Sequence, residues 1–326
     1  MNGVQIDTIS NGVAHGTVAQ RLMECNFNIN ALRTNDILRK EEWLMFDEVL
    51  VEIARKRLVA VQALLSRNLR FNVPDALGVT MLQWETVSDM TPAEVSMSGI
   101  TPAQGDRLNF EDASLPLPIV HKDFHLNIRH LKASRKLGTP LDVAQVTMAS
   151  TLVTEAIEAM VFTGHAITVK GNTIPGLLNH TYRNTGSVSA NWDTAATGAQ
   201  MVTDIIAMIS ACQTDNMYGP YGLFVTNAAF LRMMDDFKTE SDKTILQRLK
   251  EIEGIQFILP SKDVTAGAVV LTQLSNDVIQ EVVGIQPTVV SWESQGGMQF
   301  NFKVLAIMVP RIRSTQTNQS GVAHFS

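Results

Sequence analysis

The feature that most constrains the fold is a long β-type segment between residues 79 and 131. Residues 79–87 alternate apolar and polar side chains and are rich in β-branched and aromatic residues. Residues 117–131 alternate again, and the low-charge stretch between the two segments is broken by prolines and glycines. The pattern predicts a long two-stranded projection built from these two segments. Because a two-stranded hairpin is only marginally stable in water, the projection needs a further surface to lie on.

Residues 1–40 are a second segment that has no core of its own. They are polar, weakly periodic and punctuated by Asn, Gly and Thr, which would also suit a disordered tail. They nevertheless carry more apolar residues than a solvated tail normally does. These are Val4, Ile6, Leu22, Met23, Phe27, Ile29, Leu32 and Ile37. We therefore expect an arm that lies on another surface.

Two strong helices are predicted. Residues 41–66 place apolar residues at three- and four-residue steps, and Pro74 blocks any continuation. The expected core stripe of this helix is Leu44, Val51, Ala54, Leu58, Val61 and Leu65. A second helix over 139–163 is expected to bury another stripe and to end at Gly164. Its stripe is Leu141, Ala144, Met148, Leu152, Ala156 and Met160.

The start of the second helix has its own sequence signal. Thr139 is a good N-cap, Pro140 suits the first helical position, and Asp142 stands where a capping box has its acidic residue. At 1.5 Å per residue the predicted helix is a rod of roughly 35 Å.

The rest of the chain predicts a compact mixed region of short helices and strands. Helices are expected at 194–212, capped by Asp193, at 228–237, capped by Asn227, and at 245–252. Strands are expected at 167–170, 221–225, 255–259, 268–271, 278–283, 288–292 and 300–309. A polar tail follows over 314–326, with an apolar end. The fold class is therefore α+β.

Composition excludes several classes of protein. The 326 residues are 45% hydrophobic and 18% charged, which excludes a disordered chain. The net charge of −6 gives no bulk attraction to nucleic acid or to an anionic membrane. No apolar run approaches 18 residues, and no signal peptide is recognised, so no membrane association is expected. Cys25 and Cys212 match no zinc or redox spacing, which favours a reducing compartment.

One set of side chains could bind a metal. His121, Asp123 and His125 alternate along one predicted strand, with Arg129 nearby, and zinc or iron would accept such groups. Side chains at i, i+2 and i+4 of one strand spread over about 13 Å, whereas metal ligands lie about 2 Å from the ion. We therefore favour a polar, exposed strand face.

No catalytic, cofactor-binding or metal-binding residues are predicted. Glu155 and Glu158 are interpreted as a solvated or capping pair, and Cys25 lies in the arm, where nothing fixes the geometry of a nucleophile. The chain has no phosphate-cradling or nucleophile-elbow motif. We expect a protein that is not an enzyme, although an enzyme using the His121 face remains an alternative.

The order of these parts resembles tailed-phage major capsid proteins of the Hong Kong 97-type fold and their relatives, the encapsulin shell proteins. The segments that carry the resemblance are Leu-Pro-Leu-Pro-Ile at 115–119 leading into 124–129, the helix at 141–162, Asn-Thr-Ile-Pro-Gly-Leu-Leu at 172–178, Gly-Leu-Phe-Val-Thr-Asn at 222–227 and the closing strand at 300–306. The resemblance covers nearly the whole chain, and the ordered set carries it.

The resemblance implies an organisation of the chain. The expected parts are an N-terminal arm (1–40), an N-terminal helix (41–69), an extended loop with flanking strands (70–130), a peripheral domain (131–178) with its spine helix at 139–163, an axial domain (179–295) and a return to the peripheral domain with the C-terminal tail (296–326). The extended loop would lie over a neighbouring subunit.

The resemblance also implies a function. The chain would be a major capsid protein whose pentamers and hexamers form an icosahedral viral shell around double-stranded DNA, assembled in the host cytoplasm and found in the virion. Separate scaffolding, portal and decoration proteins would be further partners, and contact with DNA would be non-specific. An encapsulin-like nanocompartment with protein cargo is the alternative. Some relatives cross-link through a lysine of the extended loop, but residues 82–117 contain no lysine, so no such cross-link is expected.

Overall fold

The computed structural model describes residues 9–10, 13–14, 40–88, 107–137, 143–238, 242–295 and 298–326, with positions 90, 91, 93, 95, 97 and 105. Its helices are α1 (Lys40–Arg57), α2 (Val59–Leu65), α3 (Ile128–Leu137), α4 (Ala144–Thr163), α5 (Gly198–Thr214), α6 (Asn227–Arg232) and α7 (Ile245–Lys250). Its strands are β1 (Ile9–Ser10), β2 (Val13–Ala14), β3 (Arg70–Asn72), β4 (Met81–Val87), β5 (Phe110–Pro116), β6 (Val120–Asn127), β7 (His165–Val169), β8 (Asn172–Ile174), β9 (Asn184–Gly186), β10 (Tyr221–Val225), β11 (Ile255–Pro260), β12 (Val269–Gln273), β13 (Ile279–Ser294), β14 (Gln299–Ile312) and β15 (Val322–Phe325). Most of the expected arm, and the expected cap of the second helix at 139–142, lie outside the described residues.

A four-stranded sheet, ordered β3-β13-β14-β6, organises one half of the molecule. Its centre is the long antiparallel pair β13–β14, in which the two strands predicted at 278–283 and 288–292 are one continuous strand with register shifts near Ile285. Alternation along β14 sends Phe302 and Val304 to one face and Ile307 and Val309 to the other, so both faces are buried.

The first face of this sheet is covered by α1 and α4. The ring of Phe302 stacks on Phe124 of β6 at 5.1 Å and meets Phe46 and Trp43 of α1 edge-on at 5.6 and 6.2 Å. These aromatic side chains set the face that α1 buries. The predicted stripe of this helix is confirmed at Ala54, Leu58 and Val61, which are buried, and is wrong at Leu44, which is exposed.

The helix predicted at 41–66 is two helices rather than one. Leu58 interrupts it with non-helical backbone angles (φ −83°, ψ 75°). The break frees the first N–H groups of α2, and the carboxylate of Glu158 on α4 accepts hydrogen bonds from the N–H groups of Ala60 (2.7 Å) and Val61 (3.4 Å). A side chain 98 residues away in the sequence thus substitutes for a local N-cap.

The stripe predicted for the second helix is confirmed at Met160 and is wrong at most of its other positions. Met148 and Leu152 of α4 are 64% and 47% exposed. The buried face comprises Val146, Ala149, Ser150, Val153, Thr154, Ile157, Glu158, Met160, Val161 and Phe162. The helix is apolar on nearly every side, so its spacing fits more than one face. It is also long and apolar enough to cross a membrane, but 56% of its apolar window is buried inside the protein, as in a core helix.

The end of α4 is fixed by close backbone packing. Gly164 has a positive φ of 65°, and a Cβ there would lie 2.1 Å from the carbonyl oxygen of Ile174. Gly176 is packed equally closely against Gly164 and Phe162. Only glycine allows this approach at the two positions, so the Ile-Pro-Gly-Leu-Leu segment can pack directly against the end of the helix.

A five-stranded sheet, ordered β11-β10-β12-β15-β9, organises the other half. The predicted strand at 221–225 is confirmed as β10, which is buried at every position. β15 is the apolar end that was expected at the close of the polar tail, and its Val322 and Ala323 are fully buried. β15 falls in the segment 296–326, which was expected to return to the peripheral domain, but it lies in the five-stranded sheet. Conversely, β13 falls in the expected axial segment 179–295 but lies in the four-stranded sheet.

The helices beside this sheet begin at threonine caps. Thr197 caps α5 and Thr226 caps α6, each hydroxyl accepting from the N–H three residues on. The predicted caps, Asp193 and Asn227, are therefore wrong. Asp193 instead accepts hydrogen bonds from the N–H of Gly267 (2.7 Å) and the hydroxyl of Thr226, which ties together three loops. The helix predicted at 228–237 ends already at Arg232.

The projection is formed by different strands from those predicted. β4 pairs antiparallel with β5, from Met81 opposite Pro116 to Val87 opposite Phe110. The predicted partner at 117–131 instead contributes β6 to the four-stranded sheet. Pro116 and Pro118 lack N–H groups and separate the two strands. β5 was missed because its sequence, Phe-Glu-Asp-Ala-Ser-Leu-Pro, does not alternate.

Candidate subunit contact surfaces

The outer part of the β4–β5 projection carries large apolar side chains that are exposed. Val95 and Met97 are fully exposed, and Met90 and Phe110 are about three-fifths exposed. Every described position from 90 to 112 is exposed. A cluster of exposed apolar residues marks a binding surface rather than ordinary surface scatter.

The root of the projection is by contrast well packed. Leu115 and Leu117 are buried against the second face of the four-stranded sheet. The buried guanidinium of Arg311 on β14 lies between the rings of Phe71 (4.4 Å) and Trp84 (5.4 Å). Burial lowers the pKa of Arg311 to about 10, with Arg313 adding to the effect, so the group remains charged at neutral pH.

A side-chain amide ties both strands of the projection to the body. The Nε2 of Gln316 donates to the carbonyl oxygens of Thr86 on β4 (2.8 Å) and of Asn109 just before β5 (3.1 Å). The hydroxyl of Thr86 also reaches across to the carbonyl of Glu111 (3.2 Å). A firmly held root with a bare outer part is the geometry of an arm that reaches another molecule.

Two further surfaces expose large apolar groups. One is the outer face of α4, with Met148 and Leu152. The other lies on the helical side of the five-stranded sheet. Its exposed apolar residues are Ile206 of α5, Leu231 of α6 and Met234. Neither surface was predicted from the sequence as an exposed one.

The structure does not assemble a metal site from the predicted strand face. The alternation of β6 is confirmed: Phe124 and Leu126 are half-buried while His121, Asp123 and His125 are exposed. Nδ1 of His121 lies 3.5 Å from Oδ1 of Asp123, which also has Nζ of Lys303 at 3.5 Å. No group of three or more potential ligands occurs in the part of the chain that the structure describes.

The remaining candidate groups have structural surroundings. Glu155 forms ion pairs with Arg57 (2.8 Å) and Lys262 (3.0 Å), whereas Glu158 is buried and binds the start of α2. Cys212 is a free, buried thiol whose pKa burial raises to about 12, so it is un-ionised at neutral pH. Cys25 lies outside the described residues.

The sequence matches the model of a family described as "Family of unknown function (DUF6260)" over residues 30–325. It is 30% identical over 131 residues to the type 1 encapsulin shell protein EncA of Myxococcus xanthus. The matched stretch covers 40% of this chain and 43% of that protein. The chain thus matches less than half of that relative's length. It is 26% identical to a diheme-cytochrome-encapsulin shell fusion protein of Kuenenia stuttgartiensis, over 86% of this chain and 72% of that protein.

Solved structures show the same fold. The virus-like particle from Pyrococcus furiosus superposes with a TM-score of 0.60 at 17% identity, covering 86% of this chain and 98% of that one. The capsid of Myoviridae phage XM1 also gives 0.60, at 12% identity, covering 76% and 85% of the two chains. The expected α+β fold of the Hong Kong 97 type is confirmed.

Proposed function

The chain belongs to the DUF6260 family of unknown function, and we propose that it is a structural subunit that assembles with copies of itself into a closed protein shell. The observation that carries this proposal is the projection, which is anchored at its root and bare and apolar at its outer part. An apolar arm that cannot be covered by its own subunit is stabilised when a neighbouring copy covers it.

The relatives support a structural role. The two related sequences are named as encapsulin shell proteins, and the superposed structures are named as a virus-like particle and a phage capsid. The side chains on the strand face at His121 are exposed, and Asp123 among them forms ion pairs with His121 and with Lys303. A shell protein that is not an enzyme fits both observations.

We propose the viral form of the shell: a major capsid protein whose pentamers and hexamers close around double-stranded DNA. Heterologous contacts, in which an arm of one copy binds a different surface of the next, close into such rings. An arm as long as residues 1–40 and the long projection favour this form. In the virion, scaffolding, portal and decoration proteins would be further partners.

An encapsulin-like nanocompartment with protein cargo is the second candidate. The names of the related sequences favour it. Both candidates share the same division of the subunit: a peripheral domain around the four-stranded sheet and α4, and an axial domain around the five-stranded sheet. In this division we place β13 with the peripheral domain and β15 with the axial domain.

Expression of the full chain alone, followed by nuclease treatment and electron microscopy, tests the proposal. Closed particles are expected. Nuclease-resistant double-stranded DNA inside particles from its natural source would support the viral form, and co-purifying protein inside DNA-free particles would support the compartment. A soluble monomer at every concentration would contradict both.

A further inference from the structure

A buried carboxyl group has no partner at the junction between α2, α4 and the four-stranded sheet. Glu281 of β13 has no solvent exposure, and neither of its carboxyl oxygens has a hydrogen-bond partner among the described residues. An ionised carboxylate in such surroundings is strongly unfavourable. Burial, and then the nearby Glu158, raise the pKa of Glu281 well above its usual value.

The second member of the pair is Glu158 on α4, which is 4% exposed. Its carboxyl oxygens hold the first N–H groups of α2, those of Ala60 and Val61. These bonds favour the charged form, but burial outweighs them and raises the pKa of Glu158 to about 7. Glu158 thus contacts the start of α2, while Glu281 lies on β13, which packs against the same helix.

The charges around Glu158 do not neutralise it. Arg57 at the end of α1 and Lys262 after β11 both pair with Glu155, at the exposed edge of the cluster. Asp263, beside Lys262, adds negative charge, and burial raises its own pKa. The cations at this edge are therefore already engaged by another carboxylate.

The charges around Glu281 are similarly placed. α1, which also packs on β13, contains one buried acidic residue, Asp47. Arg67 follows α2, but its guanidinium lies over the ring of Phe257 at 4.4 Å. Arg70 of β3 is opposite Glu281 in the strand register and is exposed. No ion pair thus forms on Glu281 within the described part of the chain.

The pair sits beneath the segment that leads into the projection. α2 is followed by Leu69, whose carbonyl accepts from the N–H of Glu281 (2.9 Å), and then by β3, which pairs with β13. The N–H of Val73 donates to the carbonyl of Val283 (3.0 Å), and the projection begins a few residues later. Val73 also belongs to the same buried cluster as Leu115 and Leu117 at the root of the projection.

We propose that Glu158 and Glu281 form a proton-dependent lock on residues 59–73, closed when both carboxyls are protonated and loosened as the pH rises through neutrality. Both groups hold their protons more tightly in the closed state than in an opened one, so the closed state is favoured at low pH. Its advantage is complete below the ordinary glutamate pKa and is lost as the pH rises through about 7 for Glu158. Between pH 5 and 8, Glu158 alone shifts the closing equilibrium by about 70-fold. The lock acts within one subunit and does not require assembly. Any effect of the lock on shell assembly rests on the proposed function.

Hydrogen–deuterium exchange of the full chain at pH 5 and pH 8, corrected for intrinsic exchange rates, tests the lock. We expect the opening equilibrium of residues 59–73 to rise by about 70-fold or more at pH 8. Glu281→Gln and Glu158→Gln, which mimic the protonated acid in shape, should each reduce this rise, and the double variant should abolish most of it. Glu111→Gln on the exposed face of β5 is the matched control and should leave it unchanged.

Two results would overturn the lock: equal protection at both pH values, or a full pH effect in the double variant. If Glu281→Gln does not fold, the test rests on Glu158→Gln. This variant should fold, because its amide oxygen can still accept the hydrogen bond from the N–H of Ala60. The exchange measurement applies equally to monomers and particles, so a failure of assembly leaves its outcome readable.

Discussion

Removing the two fully exposed apolar side chains of the projection, Val95 and Met97, should weaken self-association without unfolding the subunit. Each contributes about 1.5–3 kcal/mol if a neighbouring copy buries it completely. The double variant Val95→Ser/Met97→Ser therefore loses roughly 3–6 kcal/mol per contact. Since about 1.4 kcal/mol is a factor of ten, each association constant should fall by about 100- to 10,000-fold.

Sedimentation velocity over a range of concentrations measures this effect. We expect the double variant to sediment as subunits or small oligomers at concentrations where the unaltered chain forms particles. Its far-ultraviolet circular dichroism should be unchanged, since neither side chain packs in the subunit. Ile167→Ser, an exposed apolar residue on β7, is the control and should assemble normally. Particles formed by the double variant at the same concentration would refute the role of the projection.

Ile157→Ala should lower the free energy of unfolding, measured in urea, by about 2–5 kcal/mol, because the side chain is fully buried. Leu152→Ala on the opposite face should lower it by less than about 1.5 kcal/mol. Equal losses for the two variants would contradict the assigned faces. Gln316→Ala should speed amide exchange in β4, and unchanged exchange would remove Gln316 as its anchor. Peptide mass spectrometry should find Cys212 unalkylated at pH 8 in the native protein and alkylated in urea, and rapid native alkylation would contradict its burial. Particles boiled in detergent should give one band, since residues 82–117 contain no lysine; a ladder would contradict this.

Alternation and strong local signals were the parts of the fold that the sequence could predict. The two faces of β6 followed from strict alternation, and β10 followed from a short apolar run. The end of α4 was predicted from Gly164, whose positive φ is a backbone conformation that favours glycine. Each of these features is decided by residues close together in the chain, so local reasoning was sufficient.

Features decided by distant residues could not be predicted in the same way. The break at Leu58 depends on a carboxylate of α4, and the partner of β4 is a polar strand with no alternation. The buried face of α4 could not be chosen from an apolar pattern that runs nearly all round the helix. Met148 and Leu152, which were predicted to be buried, are instead exposed.

The buried carboxyl pair had a partial signal. Glu155 and Glu158 were interpreted as a solvated or capping pair, and Glu158 does cap a helix, namely α2. Glu281 lies in a mostly apolar run, Val-Ile-Gln-Glu-Val-Val, and a charged residue within a buried strand was the hint that the sequence offered. Burial of a charged residue is rare unless it is paired, so such a position is worth testing for function.

Electron microscopy of the purified full chain, at a concentration where sedimentation has reached its limit, tests the central claim most directly. The account predicts closed, uniform particles in which the β4–β5 projection of each copy lies on its neighbour. A population of single compact subunits, with Val95 and Met97 still accessible to solvent, would contradict it.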